Sequence, residues 1–325
     1  MRALITGGTG FLGANLAEGL LKQDWQVRIL RRTTSPLDAV KDLNVEHAIG
    51  DVTDLDSLIA AMKDVDVVFN VAAISQYWRN KADLIYQVNV DGARNVFDAA
   101  QRSTVKRVVH TSTGAAVGIV KGRPANENDP YNLPPKKFAY GHSKWLAEEI
   151  VRERVKAGQD ITMVNPTGII GRRDINWISG SILREAAHHR VPVLAQGGVN
   201  FVAVQDVVAG HIAAVDKGRA GERYILGGEN LLNRDTLLMA CEIVGVKPPR
   251  FMQPRWSIRS VAKTLDLTAA IIGPRLPISG EQMRFTREFL WFDSSKAQRE
   301  LDLPHTPVRQ AMQECYDWYK ANGYL

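Results

Sequence analysis

Cysteine is nearly missing from this chain of 325 residues: only Cys241 and Cys315 occur, and neither belongs to a closely spaced Cys or Cys/His cluster. That excludes a disulfide framework and a zinc site, so reduced thiols and no metal are expected. Apolar runs long enough to span a bilayer are missing too, as are internal repeats and low-complexity tracts. No room precedes the first apolar run, "ALIT" at 3–6, for a charged leader and an apolar signal core, and a cytoplasmic location is the default expectation. Basic residues outnumber acidic ones to give a formal net charge of +6, yet they never gather into a block. "RR" at 31–32, "KK" at 136–137 and "RR" at 172–173 lack the interleaved aromatics of a base-stacking surface, which argues against nucleic acid as a partner.

What is present is a composition of 45% hydrophobic residues, enough for one large domain or two closely joined lobes. Short β-branched runs alternate with helix-like segments: "ALIT", a helix over 11–24, "VRIL", a loop, "VEHAI", a helix over 54–63, "VDVVFNVAA", a helix over 82–101, "VKRVVHTST", a helix over 137–157, and "ITMVNPT". Strands this apolar are buried on both faces. The expected fold class is therefore α/β, a doubly wound parallel sheet (Rossmann fold) with a smaller, mostly C-terminal substrate lobe. After Pro166 the pattern loosens, with returns to the sheet expected at "NFVAV" and "RYIL". The division is accordingly discontinuous: 1–166 plus about 199–226 for the dinucleotide-binding domain, and about 167–198 with 227–325 for the substrate-binding lobe.

The stretch "TGGTGFLG" sets Gly7, Gly10 and Gly13 three apart, with Gly8 between, where the first strand should turn into the first helix. Glycine lets the backbone approach a diphosphate closely, and the helix start near Phe11 offers unpaired N–H groups and its dipole. A tight turn with close helix packing is the structural alternative. At the end of the second strand, where a carboxylate would grip the ribose of NAD, the chain has Arg31 and Arg32, and a guanidinium there suits the 2′-phosphate of NADP. Asp51 in "GDVTD" is placed to accept from the adenine amino group, although Asp51 and Asp54 could equally cap the next helix. In "FAYGHSK", Tyr140 and Lys144 stand four apart on one helix face, and an ammonium beside a phenol lowers its pKa from about 10 towards the operating pH.

Taken in order, "TGGTGFLG", "GDVTD", "NVAA", "VNVDGARNV", "VVHTST" and "YGHSK" resemble the extended short-chain dehydrogenase/reductase family. The likeness runs on through "NPTGIIGRRD", "NFVAVQDVVAGH" and "GERYILGGEN" to the closing "TPVRQAMQECYDWYKANGYL", and is greatest to the dihydroflavonol-4-reductase-like branch, near bacterial hopanoid-associated sugar epimerase-like proteins. It implies a catalytic set of Thr113, Tyr140 and Lys144, with Ser112 the immediate rival of Thr113. It further implies that Asn89 orders the site, that Ala72 and Ala73 let the cofactor lie against the fourth strand, and that Pro166 begins the segment passing the carboxamide. Thr9, Leu12, Val52 and Val71 complete the expected cofactor contacts. The implied activity is hydride transfer between NADP(H) and a carbonyl or secondary alcohol; the alternative is a nucleotide-sugar epimerase or dehydratase holding NAD tightly, which the arginines disfavour. A homodimer through helices of the sheet domain is also implied.

For the substrate, aromatic and apolar residues suggest a pocket for a hydrophobic or ring-bearing carbonyl compound. Candidates are Ser75, Tyr77 and Trp78 in "ISQYWRNKAD", with Trp177 and Met283; Arg172 and Arg173 would face an anionic substrate or cap their loop. The segment "RWSIRSVAKTLDLTAAIIGPRLP" (255–277) is expected to pack in the substrate lobe rather than lie on a membrane, because its basic face is sparse.

Overall fold

A computed structural model describes residues 1–75, 81–135, 138–190, 193–272 and 280–325. Six strands arise where the apolar runs predict them: β1 (Arg2–Thr6), β2 (Gln26–Arg31), β3 (Glu46–Ile49), β4 (Val67–Asn70), β5 (Arg107–Thr111) and β6 (Ile161–Pro166). With β9 (Arg223–Leu226) they form a seven-stranded sheet in the order β3-β2-β1-β4-β5-β6-β9, every pairing parallel. Alternate side chains leave opposite faces. Ala3 and Ile5 of β1 pack with α1 (Phe11–Leu21) and α7 (Val204–Asp216), whereas Leu4 packs with α2 (Leu55–Ala61), α4 (Gly92–Gln101) and α5 (Ala139–Lys156). The order reverses between β1 and β4, which opens a crevice at their carboxyl ends.

The second lobe is built on a four-stranded sheet of β7 (Gly168–Ile170), β8 (Gly198–Ala203), β10 (Glu229–Leu232) and β11 (Phe289–Leu290). Of the two segments expected to rejoin the large sheet, only "RYIL" does so, as β9; "NFVAV" supplies most of β8, at the centre of the small one. That corrects the expected boundary, since 199–203 belongs to the substrate side while α7 returns to the large sheet. Helices α6 (Ser181–Ala187), α8 (Asn233–Val244) and α12 (Val308–Ala321) cover the small sheet, and both cysteines lie buried as free thiols in their shared core. Helix α9 (Arg255–Ile272) is followed by α10 (Gly280–Phe285) and α11 (Ser295–Leu301). Ile258 and Ala262 of α9 are fully buried, while Trp256 at its start is 78% exposed. No helix among the described residues is long and apolar enough to cross a membrane.

One expected helix is divided. Between 82 and 101 the chain forms the short α3 (Ala82–Tyr86), a π-helical turn at Gln87–Asp91 and then α4. Such turns insert an extra residue and commonly re-aim a side chain at a functional site; the residue at the middle of this one is Asn89.

Candidate active site

The glycine loop sits at the crevice. Gly7 has φ +68°, and a Cβ on it would stand 2.8 Å from Ala72 Cα; a Cβ on Gly13 would stand 2.3 Å from the Gly7 carbonyl oxygen. Both positions demand glycine, the first for its conformation and both for space. Helix α1 has Gly10 as its N-terminal cap residue, with no side-chain cap and no acidic residue in its first turn. Its first N–H groups and positive dipole end are consequently open to an anion. Phe11 and Leu12 are buried in the sheet-side core beneath this turn, and Thr9 is half-buried on it.

Beneath the loop, the Thr6 hydroxyl donates to Asn70 Oδ1 (2.8 Å) and accepts from the N–H groups of Val71 and Ala72, each at 3.1 Å. These bonds hold the 71–73 segment open at the end of β4, with Ala73 exposed. Asn89, freed by the π-helical turn, accepts from Ile74 N–H (2.8 Å) and donates to Ile74 O (3.2 Å) and Ser143 Oγ (3.0 Å). Ser143 in turn donates to the Tyr140 carbonyl (2.8 Å). One asparagine thereby fixes both the β4 loop, including half-buried Ser75, and the first turn of α5.

At the other end of the crevice, Arg31 Nε donates to His47 Nδ1 (2.9 Å) and Arg32 is exposed. Neither arginine forms an ion pair among the described residues. Asp54 is the cap of α2, accepting from Asp56 and Ser57 N–H. Asp51 accepts from Thr53 N–H and Oγ1, both at 2.9 Å and both at Oδ1, so its second oxygen accepts from no protein donor among the described residues. Val52 is buried against Gly92.

Tyr140 and Lys144 lie in the first turns of α5, and Thr113 follows β5. Burial raises the pKa of the Tyr140 phenol, and the neighbouring Thr113 side chain opposes the rise. Ser112 points elsewhere, donating to Glu148 Oε1 at 2.6 Å. The geometry thus separates the two rival hydroxyls. Lys144 is 2% exposed, and its ammonium makes no hydrogen bond or ion pair among the described residues. Burial lowers its pKa to about 8, against the opposing pull of Glu148. A buried ammonium without a partner is costly unless a ligand completes it. Pro166, buried at the end of β6, bears no N–H for the chain beside the site.

Several expectations for the substrate side change. Trp177 stacks on Tyr319 (ring centroids 4.2 Å apart), with the Arg184 guanidinium 4.8 Å from its ring. Its ring is used in packing α12 and α6, away from a substrate role. Arg172 and Arg173 both reach Glu18, at 3.3 and 3.1 Å, and Arg173 also grips Asp42 and the Ala39 carbonyl. Arg173 thereby clasps the loop after β2 to α1, and Arg172 adds a second contact to Glu18; both are engaged with the chain's own carboxylates. Met283 is half-buried at α10; Tyr77 and Trp78 lie outside the described residues. Residue-by-residue reading missed Glu148 and Asn165, both fully buried. The signal for Glu148 was its spacing, one turn beyond Lys144 on the same helix face.

An open glycine loop at the strand-order reversal, flanked by a phenol, a hydroxyl and a buried unpartnered ammonium, defines a nicotinamide-dependent oxidoreductase site. Residues 3–227 match the NAD dependent epimerase/dehydratase family, and the chain belongs to it and to the extended short-chain dehydrogenases/reductases. It is 36% identical over 330 residues to a Synechocystis sp. protein named "Putative dihydroflavonol 4-reductase" (99% of this chain, 95% of that one). Sterol demethylase protein B of Methylococcus capsulatus is 33% identical over 329 residues, covering both chains fully. The crystal structure of gox2253 superposes with a TM-score of 0.87 at 33% identity, over 100% of this chain and 99% of that one.

Proposed function

We propose that this protein is an NADP(H)-dependent carbonyl reductase acting on a ketone or aldehyde of a hydrophobic, ring-bearing small molecule. The observation that carries the reading is the meeting of Thr113, Tyr140 and Lys144 beside the glycine loop. NADP is favoured by Arg31 and Arg32, two cations without ion-pair partners among the described residues where a 2′-phosphate would lie. The substrate class is supported by the relatives named for dihydroflavonol and sterol chemistry.

A bound NADPH supplies the hydride. The chain's own part is alignment and proton management. The N–H groups at the start of α1 and the space above Gly7 and Gly13 hold the diphosphate. Lys144 gives its unpartnered ammonium to the nicotinamide ribose and favours the ionised form of Tyr140 as the phenol releases its proton. Tyr140 donates that proton to the oxygen of the reduced carbonyl, and Thr113 holds the same oxygen in line.

The test is turnover of NADPH and NADH against a panel of ketosteroids, dihydroflavonols, aldehydes and nucleotide sugars, with Tyr140→Phe alongside. That variant should lose at least 100-fold in kcat while its calorimetric Kd for NADPH stays within about twofold. Undiminished turnover would defeat the assignment. Copurification of oxidised, non-exchanging NAD would favour the sugar-epimerase alternative.

A further inference from the structure

Four residues beyond Lys144, Glu148 is completely buried. A buried carboxylate is costly unless its lone pairs are filled, and here they are filled from four directions. Ser112 Oγ and Asn165 Nδ2 both donate to Oε1 at 2.6 Å, and Arg223 donates to Oε2 at 3.1 Å. Arg152 reaches the same Oε2 at 3.4 Å. Three of these partners lead back to the site. Ser112 adjoins Thr113, and Asn165 also donates to the Thr113 carbonyl at 3.0 Å. Arg223 is itself mostly buried and clamps the carbonyls of Glu127 (2.8 Å) and Asp129 (2.7 Å), in the loop leading to Tyr140.

We propose that Glu148 is the positioning residue of the constellation: its ion-paired carboxylate ties α5 to the ends of β5 and β6 and to the loop before Tyr140, and supplies the fixed negative charge facing Lys144. The assignment rests on the reductase reading for its functional meaning. Two effects come from one group. Mechanically, Thr113, Tyr140 and Lys144 share a single buried anchor, so their spacing is set by three hydrogen-bonded neighbours rather than by loop conformation. Electrostatically, the carboxylate offsets the burial that draws Lys144 down to about 8. The other groups facing this pair are Arg152 on the same helix, Arg223 from β9, Tyr140, and His110 from β5. His110 is fully buried and kept neutral, by burial first and by Lys144 second.

The test titrates Lys144 in the cofactor-free protein by NMR of isotope-labelled lysine, its signal assigned with Lys144→Met. Glu148→Gln keeps the side-chain shape and removes the charge, so the Lys144 midpoint should fall by about one pH unit. Arg223→Gln removes a cation while leaving the carboxylate, so its midpoint should rise by about half a unit. Both variants should also lose at least tenfold in kcat for NADPH oxidation with a ketosteroid. Opposite shifts support the proposal; a side chain acting only in stability would move neither midpoint. If Glu148→Gln fails to fold, by near-ultraviolet circular dichroism, Arg223→Gln decides alone. Coincident titration curves for wild type and the folded variants overturn the assignment. Because this titration needs no substrate, an active Tyr140→Phe variant would defeat the reductase reading separately.

Discussion

At residue 31 a single side chain tests the proposed preference for NADP over NAD. Arg31 reaches across from β2 to His47 of β3 and has no carboxylate partner among the described residues, so a 2′-phosphate would not have to displace an ion pair. A charge-assisted contact of this kind is worth about 1.5–3 kcal/mol. Arg31→Asp should therefore raise the KM for NADPH by about 10- to 100-fold and narrow or invert the preference over NADH. Equal KM values for NADPH in variant and wild type would show that the guanidinium does not meet the phosphate. The motifs made this prediction legible in advance, because strand-end position and charge are both local. Arg172 and Arg173 were equally visible as charges, but their partners Glu18 and Asp42 are more than a hundred residues away in the chain. Only the packing of the loop after β2 against α1 shows that they are structural.

Elements were read well where periodicity alone defines them and poorly where a buried polar group decides. Six strands follow their apolar runs. The π-helical turn does not follow any run, since "QVNVD" has the look of continuous helix; the turn is found where Asn89 bonds to both Ile74 and Ser143. β8 misled for a related reason: "NFVAV" is apolar enough for either sheet, and its place is fixed by pairing with β10 and β7. The first helix gives the sharpest test at this scale. A methyl group on Gly13 would collide with the backbone of Gly7 and Gly8, at 2.3 and 2.8 Å, and backbone cannot rotate away as a side chain can. Gly13→Ala should cost about 1–3 kcal/mol of stability through overpacking. It should also weaken NADPH binding at least tenfold by moving the helix start away from the diphosphate. Calorimetry with denaturant melts reads both, and wild-type affinity would mean that α1 does not cradle the cofactor.

Across the whole molecule, two fully buried histidines give stability a pH dependence. His211 donates from Nδ1 to the Val207 carbonyl (2.7 Å) and accepts from the Thr111 hydroxyl (2.9 Å), and burial lowers its pKa to about 4. His110 accepts from Asn70 Nδ2 at 3.0 Å, and burial sets it well below the usual histidine value. Both fold as neutral rings, whereas the unfolded chain takes up their protons near pH 6.5. Between about pH 6.5 and pH 4 the unfolded state binds more protons at His211, so stability falls as pH falls, by up to about 1.4 kcal/mol per unit from this residue, and His110 acts in the same direction. Melting temperatures should drop from pH 7 to pH 5, and the slope should be shallower in His211→Gln. A flat profile would contradict neutral burial.

The chain passes between its two sheets again and again: from β6 to β7, from β8 to α7, from β9 to β10, and from β11 through α11 to α12. No single cut separates the lobes, because β7, β8 and β10 of the small sheet alternate along the chain with α7 and β9 of the large one. Neither half can be made as an autonomous fragment, and a truncation removing α12 would strip the small sheet of its cover while leaving the nucleotide crevice nominally intact. Recombination between relatives of this chain is accordingly constrained after β6, since a crossover between β7 and α11 would mate mismatched cores in both lobes at once.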